Sequence, residues 1–186
     1  MKAILITFLS LFLLEESIEP IKKTCLNSEE KKLYDLIMTY RESKKLPSIP
    51  LSAKLTLVAQ AHVKDLMENY KEGEKCNFHS WSKNGDWSPC CYTSDHKQAA
   101  CMWNKPKEIA GYEGNGFEIA YWSSAGGTAI EALDGWKKSS GHNAVIINST
   151  IWKDMDWKAI GIGLAGEYGV VWFGEEEDVE TAVSCN

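Results

Sequence analysis

Arginine is almost missing from this sequence. Arg41 is the single arginine, acidic residues outnumber basic ones by 26 to 20, and the formal net charge is −6 at pH 7. Domains that bind nucleic acids usually carry a basic stripe, and anionic membrane surfaces attract clusters of lysine and arginine. The acidic balance therefore argues against a nucleic-acid partner and against binding to an anionic membrane surface.

Long apolar runs are also scarce. Only residues 3–14, AILITFLSLFLL, form one, and they follow the positive charge of Lys2. This run is too short to span a bilayer as a helix, which takes about 20 residues, but it suits the apolar part of a secretory signal. We predict a signal peptide over residues 1–18, cleaved somewhere between residues 15 and 20, with a retained anchor as the alternative.

The rest of the chain, residues 25–186, has the size of one ordinary domain and contains no second run long enough to span a membrane. All six cysteines lie in this part: Cys25, Cys76, Cys90, Cys91, Cys101 and Cys185. An even number of cysteines in a secreted chain predicts disulfides. Adjacent cysteines rarely pair with each other because so small a ring strains the disulfide torsion. We predict that Cys25 and Cys185 join the two termini and that the other four cross-link the middle.

Apolar periodicity is lost between residues 71 and 113, where glycine, serine, asparagine and four cysteines dominate. We predict a cysteine-rich insertion at about residues 76–113. So long an irregular segment inside a domain is usually functional or held by cross-links, so it is either a disulfide-stapled surface loop or a lid over a ligand. A further alternative is a zinc site, although the usual C-x-x-C spacing is missing; its ligands would be Cys90, Cys91, His96 and Cys101.

Helix-start signals occur at Asn27, Ser52 and Thr128, and Glu30 and Glu131 complete capping boxes at the first and third of these. Residues 117–121 alternate like a strand, and residues 159–165 and 170–173 flank a glycine-bounded turn typical of a hairpin. The pattern predicts an α+β fold, a three-layer α-β-α sandwich with a small, mostly antiparallel sheet.

Two local predictions concern the region after the third helix. We expect Ser139 to Gly141 to end that helix, with Gly141 in a left-handed turn. Residues 148–150, Asn-Ser-Thr, form an N-glycosylation sequon, so Asn148 is predicted to lie on the surface and to carry a glycan.

The chain has four histidines, so each can be weighed. His62 falls in the apolar stripe of the second helix and is predicted to be a packed, hydrogen-bonded core residue. His79, Glu118 and His142 offer two imidazoles and a carboxylate, which could hold a divalent metal with one position open or exchange protons as acid and base. Spacing alone does not show that these three side chains meet.

Several stretches, taken in order, resemble one family. They are YRESKKLPSIPLSAKLTLVAQAHVKDLMEN, FHS at residues 78–80, GFEIAYW, W-x-x-S-S-G-H from Trp136 to His142, and the pair AIGIGLA and VVWFG. Together they resemble the CAP superfamily of cysteine-rich secretory proteins, antigen 5 proteins and plant pathogenesis-related class 1 proteins. The W-x-x-S-x-G-H form is that of the bacterial-type members.

This resemblance implies a secreted, disulfide-bonded α-β-α sandwich with a central cleft. Members of the family commonly place two histidines and two glutamates in that cleft. The first histidine falls on His79, the first glutamate on Glu118 and the second histidine on His142, whereas Ser139 occupies the position of the second glutamate. Ile119 replaces the asparagine that usually follows the first glutamate. The sequence therefore offers a three-residue version of the family's cleft.

The resemblance favours a secreted binding module over an enzyme. Family members bind sterols and fatty acids, and most have no established catalytic activity, so a lipid, a sterol or an extracellular protein is the expected partner. The alternative is a zinc-dependent hydrolase that uses His79, Glu118 and His142, with His79 and His142 as metal ligands. A third possibility is a structural extracellular protein whose polar cleft has no use.

The cysteine-rich segment predicts that the fold depends on its disulfides, because that segment lacks apolar periodicity. Thermal unfolding with and without a reductant is expected to show a lower melting temperature after reduction, since loss of a native disulfide from a small secreted domain costs about 2–5 kcal/mol. An unchanged melting temperature would mean that the segment is held by packing alone.

Overall fold

A computed structural model of the protein describes residues 24–71 and 75–185. The predicted signal peptide, residues 1–18, lies outside this part. The elements form three layers, with helices on both faces of a three-stranded sheet. The fold class predicted from the sequence is therefore confirmed. Within the described ranges, no helix is both long enough and apolar enough to cross a membrane.

The central sheet consists of β2 (Phe117–Trp122), β4 (Tyr168–Gly174) and β3 (Ala159–Ala165), antiparallel throughout and in the order β2-β4-β3. Side chains along a strand alternate between the two faces of a sheet. On β4, Val171 and Phe173 enter one apolar core, while Val170 and Trp172 enter the other. All four are fully buried, so the sheet is covered on both sides.

The first helical layer contains α1 (Ser28–Ser43), α5 (Ala129–Lys138) and α6 (Ser140–Ile146). The Asn27 side chain accepts a hydrogen bond from the Glu30 backbone N–H, and the Glu30 carboxylate accepts one from the Asn27 backbone N–H, which is the predicted capping box. Thr128 caps α5 by accepting from the Glu131 backbone N–H. Local side-chain chemistry thus sets the starts of both helices.

The second helical layer contains α2 (Ala53–Asn69), capped by Ser52, and two short helices, α3 (Ala99–Trp103) and α4 (Lys105–Ala110). The expectation of an irregular cysteine-rich segment is wrong for α3 and α4. Helices of 5 and 6 residues make fewer than two turns, too few to show an apolar period in the sequence. Packing of Ala99 and Met102 against the core stabilises these turns instead.

Three disulfides use every cysteine. Cys25 pairs with Cys185, as predicted, and the middle of the chain is linked by Cys76–Cys91 and Cys90–Cys101. Next to the first disulfide, β1 (Cys25–Leu26) and β5 (Val183–Ser184) form a short parallel pair. The alternative zinc site built from the central cysteines and His96 is wrong, because the sulfur atoms it needs are bonded to each other.

The region after α5 differs from the prediction. Ser139 is a single residue with extended backbone (φ −90°, ψ 113°), and α6 begins immediately after it. The Asn143 N–H donates to the Ser139 carbonyl, which starts a new helical turn. Gly141 lies inside α6, and the glycines with positive φ in the described residues are Gly111, Gly126 and Gly166. His142 therefore sits in the first turn of a helix, not in a loop.

Two glycines allow α2 to lie directly against the sheet. A β-carbon added to Gly161 would collide with the backbone of Leu55, and one added to Gly163 would collide with the carbonyl group of Ala59. The two kinds of residue in AIGIGLA therefore pack on opposite faces of β3. The bulky residues fill the core beneath α1, and the glycines leave room for the backbone of α2. This close approach sets the distance between α2 and the sheet, and therefore how far the side chains of α2 reach toward the strands.

The Gly161→Ala substitution is expected to lower the free energy of unfolding by about 1–3 kcal/mol or more, because backbone atoms cannot move aside as a flexible side chain can. Chemical denaturation followed by tryptophan fluorescence measures the change. Gly141→Ala is the matched control, since apart from the backbone of its own helix no atom lies within 4 Å of the added carbon. Equal stability of the two variants would show that α2 is free to move away from β3.

Candidate functional site

The three predicted site residues line one cleft. His79, Glu118 and His142 share a cavity of about 510 Å³ between α6 and the cysteine-rich segment, beside the edge strand β2. The structure thus brings together side chains that are far apart in the sequence. Apolar side chains form most of the remaining wall: Met102, Trp103, Phe117, Val145, Ile151 and Trp152.

Glu118 is the buried anion at the base of this cleft. Its side chain has no solvent exposure, and its Oε1 lies 2.7 Å from His79 Nδ1 while its Oε2 is hydrogen-bonded to His62 Nδ1. Burial acts to raise the pKa of the carboxyl, but the charges and hydrogen bonds of the two histidines outweigh burial and hold the pKa below its ordinary value. Glu118 is therefore an ionised carboxylate with both oxygens occupied.

His62 is a site residue that sequence reasoning missed. It is packed and hydrogen-bonded as predicted, with no exposed surface, but its partner is the candidate cleft residue Glu118. Its ring stacks on Trp81 with centroids 4.1 Å apart and planes 9° from parallel. The helical stripe places His62 toward the sheet, yet no local signal in the sequence connects it to a residue 56 positions away.

His79 is held by contacts on several sides. Its backbone N–H donates to Asn77 Oδ1 at 3.0 Å, and its ring packs edge-on against Tyr92 with centroids 5.2 Å apart. Its Nδ1 faces the Glu118 carboxylate, while within residues 24–71 and 75–185 nothing is hydrogen-bonded to its Nε2. The ring thus has a fixed orientation, with one nitrogen anchored and the other available to the cleft.

His142 enters the cleft from the first turn of α6 and is half-buried. Burial lowers the pKa of His142, and the positive charge of His79 acts in the same direction, while Glu118 opposes both. The imidazole is therefore neutral at pH 7. Its ring has no hydrogen bond to any residue in the described part of the chain.

The lone arginine positions the helix that carries His142. Arg41 is buried and donates from one guanidinium nitrogen to the carbonyl of Ile146 (2.6 Å), the last residue of α6, and to Asn148 Oδ1 (2.7 Å). Burial lowers the pKa of Arg41 to about 10, so it stays protonated at pH 7. A cation at a helix C-terminus is favoured by the helix dipole. Tyr40 adds a hydrogen bond to Asn143 Oδ1 at 3.0 Å.

The asparagine of the sequon takes part in the same hydrogen-bond network as Arg41. Asn148 is half-buried, and its Nδ2 donates to the Met155 carbonyl at 2.9 Å while its Oδ1 accepts from Arg41. Its backbone adopts a left-handed conformation (φ 45°), which asparagine tolerates better than most residues. Glycosylation at Asn148 stays a prediction, and a glycan there would be attached to the nitrogen that holds Met155.

The donors present do not fit a zinc site. His79 and His142 were the predicted ligands, but both oxygens of Glu118 accept hydrogen bonds from imidazoles and Ser139 supplies no carboxylate. Across the described residues, no group of three or more histidines, cysteines, aspartates or glutamates is arranged to hold a metal ion. His96, a further histidine at the cleft, bonds through Nδ1 to the Tyr92 hydroxyl at 2.8 Å.

A family model decides the classification. The model described as the cysteine-rich secretory protein family, CAP, matches residues 34–169, which is more than half of the chain. The chain belongs to the CAP family. None of the curated protein sequences compared with this CAP protein matched it.

Solved structures share the fold at low sequence identity. They include an extracellular SCP-domain protein from Bacillus anthracis (19% identity, TM-score 0.56, covering 80% of this chain and 40% of that one). An outer surface protein from Borrelia burgdorferi has 19% identity and a TM-score of 0.54, covering 80% and 93% of the two chains. A cysteine-rich secretory protein from Staphylococcus aureus has 13% identity and a TM-score of 0.51, covering 80% and 39%. The CAP chain thus spans about two fifths of the Bacillus and Staphylococcus proteins.

Replacing Glu118 by Gln is expected to destabilise the CAP domain by about 3–5 kcal/mol at pH 7, since it leaves a buried imidazolium without its counter-ion. The pKa of Glu118 is lowered in the folded state, so its contribution is full above the ordinary carboxyl pKa of 4.5 and is lost as the pH falls below it. Unfolding free energies measured from pH 7 down to pH 3 are therefore expected to fall more steeply for the wild type than for Glu118→Gln.

Glu68→Gln is the control for this comparison, because Glu68 is exposed on the same helix that carries His62. It is expected to keep the stability of the wild type at pH 7. Parallel pH profiles for wild type and Glu118→Gln would contradict an ionised, paired carboxylate.

Proposed function

We propose that this CAP protein is a secreted binding module that takes a lipid or a sterol into the cleft between α6 and the cysteine-rich segment. Secretion is supported by the three disulfides, which persist in oxidising compartments, and by the predicted signal peptide. The similar Bacillus protein is described as extracellular and the Borrelia protein as an outer surface protein, which agrees with this location.

The observation that carries the proposal is the composition of the cleft wall. Tryptophan, phenylalanine, methionine and aliphatic side chains form most of it, and the polar groups converge around Glu118. A volume of about 510 Å³ falls within the range of about 300–1,000 Å³ that is typical of small-molecule sites. An apolar chamber with one polar end suits an amphipathic molecule, whose apolar body and polar group need different surroundings.

The mouth of the cleft supports an apolar ligand as well. Ile151, in a single turn of 3-10 helix at Thr150–Trp152, lines the cleft and is 83% exposed. Thr150 beside it has a positive φ of 56°, which is strained for a β-branched residue. Strain of this kind clusters at ligand clamps and active sites. An apolar ligand that extends to the mouth would cover Ile151.

Hydrolysis has less support from the same geometry. Glu118 holds two hydrogen bonds through both oxygens, so it is not free to act as a base or a ligand. The six cysteines are all in disulfides, and a disulfide-bonded sulfur is no nucleophile. We therefore place the binding module ahead of the zinc-dependent hydrolase.

Native mass spectrometry of the secreted protein after incubation with a mixture of sterols and phospholipids tests the proposal. Wild type is expected to retain one lipid or sterol molecule, and Gly141→Trp is expected to lose it. The new ring is expected to fill the cleft, because apart from the backbone of its own helix no atom lies within 4 Å of a carbon added at Gly141. Ile130→Trp is the control, because Ile130 is exposed on α5 and does not line the cleft.

Two results would contradict the proposal. One is a wild-type protein that retains no lipid or sterol, and the other is equal retention by Gly141→Trp. Stoichiometric zinc on the wild type that disappears in His79→Ala would favour the hydrolase instead.

A further inference from the structure

Strand β2 forms one open edge of the central sheet, since in the order β2-β4-β3 it pairs with β4 alone. In an antiparallel pair, alternate residues direct their N–H and C=O groups toward the partner strand, and the residues between them direct theirs away. The Ser123 N–H donates to the Glu167 carbonyl, which shows that the odd-numbered positions face β4. The main-chain groups of Glu118, Ala120 and Trp122 therefore point to the open edge.

The positions on either side of Glu118 along this edge already have partners. The Gly116 N–H donates to the Trp103 carbonyl at 2.9 Å, and the Ala120 carbonyl accepts from Trp136 Nε1 at 3.0 Å. Within residues 24–71 and 75–185, the N–H and C=O groups of Glu118 have no hydrogen-bond partner. Between two occupied positions, the open edge thus offers one donor and one acceptor. Buried main-chain polar groups are almost always paired, so this position calls for a partner.

The main chain of Glu118 is the part of this residue that reaches the cleft. Its side chain has no exposed surface, yet the residue as a whole is 7% exposed, so the exposed atoms belong to its main chain. Glu118 also lines the cavity of about 510 Å³. The unpaired donor and acceptor are therefore accessible to a ligand, while the carboxylate is not.

The cleft continues the middle layer of the fold. Met102 and Trp103 pack with the apolar core on one face of the sheet, whereas Val145 and Trp152 pack with the core on the other face. All four side chains line the cleft. The cavity therefore lies between the same two layers as the sheet and beside its open edge, where an added strand would run about 4.8 Å from β2.

We propose that the cleft binds an extended peptide segment of another protein as a short added strand. One residue of that segment exchanges two hydrogen bonds with Glu118. Its N–H donates to the Glu118 carbonyl oxygen, and its carbonyl oxygen accepts from the Glu118 N–H. Peptides that bind by strand addition gain affinity from such main-chain bonds and specificity from the pockets around their side chains. The two apolar walls of the cleft favour apolar side chains on the segment.

This inference goes beyond the proposed function and does not rest on it. A lipid or a sterol is held by the apolar walls of the cleft, whereas a peptide also pairs with the main chain of Glu118. Both ligands fill the same cavity, so binding of one excludes the other.

Three capped forms of leucine test the main-chain bonds. They are N-acetyl-leucine N-methylamide, the same compound with a methyl group on the leucine nitrogen, and N-acetyl-leucine N,N-dimethylamide. The second compound lacks the N–H that points at β2, and the third lacks the other N–H, which points away from β2 in a paired strand. Each of these two carries one added methyl group, so each is the matched control of the other.

Binding is measured by two-dimensional ¹H–¹⁵N NMR on the secreted wild-type protein, in which the Glu118 amide reports the new hydrogen bond. The parent compound and the dimethylamide are expected to shift this amide proton downfield with similar affinities. The compound methylated on the leucine nitrogen is expected to bind about tenfold more weakly, the value of one hydrogen bond in a desolvated site. Gly141→Trp is expected to lose binding of the parent compound, and Ile130→Trp is expected to keep it.

Three results would overturn strand addition. They are no binding of the parent compound up to its solubility limit, equal affinity of the parent and the compound methylated on the leucine nitrogen, and equal losses for the two methylated compounds, which would show that the cleft excludes methyl groups by shape. The fate of the proposed function is decided separately by native mass spectrometry. Peptide binding without lipid or sterol retention removes the proposed function alone, and retention without peptide binding removes this inference alone.

Discussion

The negative charge of a carboxylate that is removed from water must be compensated. Residues from two other parts of the fold compensate the charge of Glu118. His62 reaches it from α2, and His79 reaches it from the cysteine-rich segment. The position of α2 depends in turn on β3, because Ala59, three residues before His62, occupies the space that a side chain at Gly163 would need. The charge pair of the cleft therefore depends on the contact between the backbones of α2 and β3. A change in the depth of α2 would separate the imidazolium from its anion.

Those parts of the fold that follow local rules could be predicted from the sequence. Asn27, Ser52 and Thr128 start the three long helices because each side chain satisfies backbone N–H groups within three residues of itself. The strands of the hairpin follow from alternation and from the glycines between them. His79, Glu118 and His142 were identified by resemblance to a family, and the structure places all three in one cleft. The spacing of these three residues in the sequence does not by itself show that their side chains meet.

The remaining features depend on contacts between distant residues or on elements too short to leave a pattern. Helices α3 and α4 are one to two turns long, and a single extended residue, Ser139, separates α5 from α6. The role of His62 could not be read from its apolar surroundings, because the stripe fixes only the direction in which it points. The partner it finds there is set by the register of β2 on β4, in which Glu118 pairs with Trp172.

The disulfide between Cys25 and Cys185 turns the domain into a covalent ring of backbone and sulfur. A protease that cuts the chain once, anywhere between these two cysteines, opens the ring without releasing a fragment. The two ends of the domain also leave from one place, beside the parallel pair of β1 and β5. A tether or a fused domain at either end would thus hang from the same corner of the molecule, and the opposite side would stay clear of it.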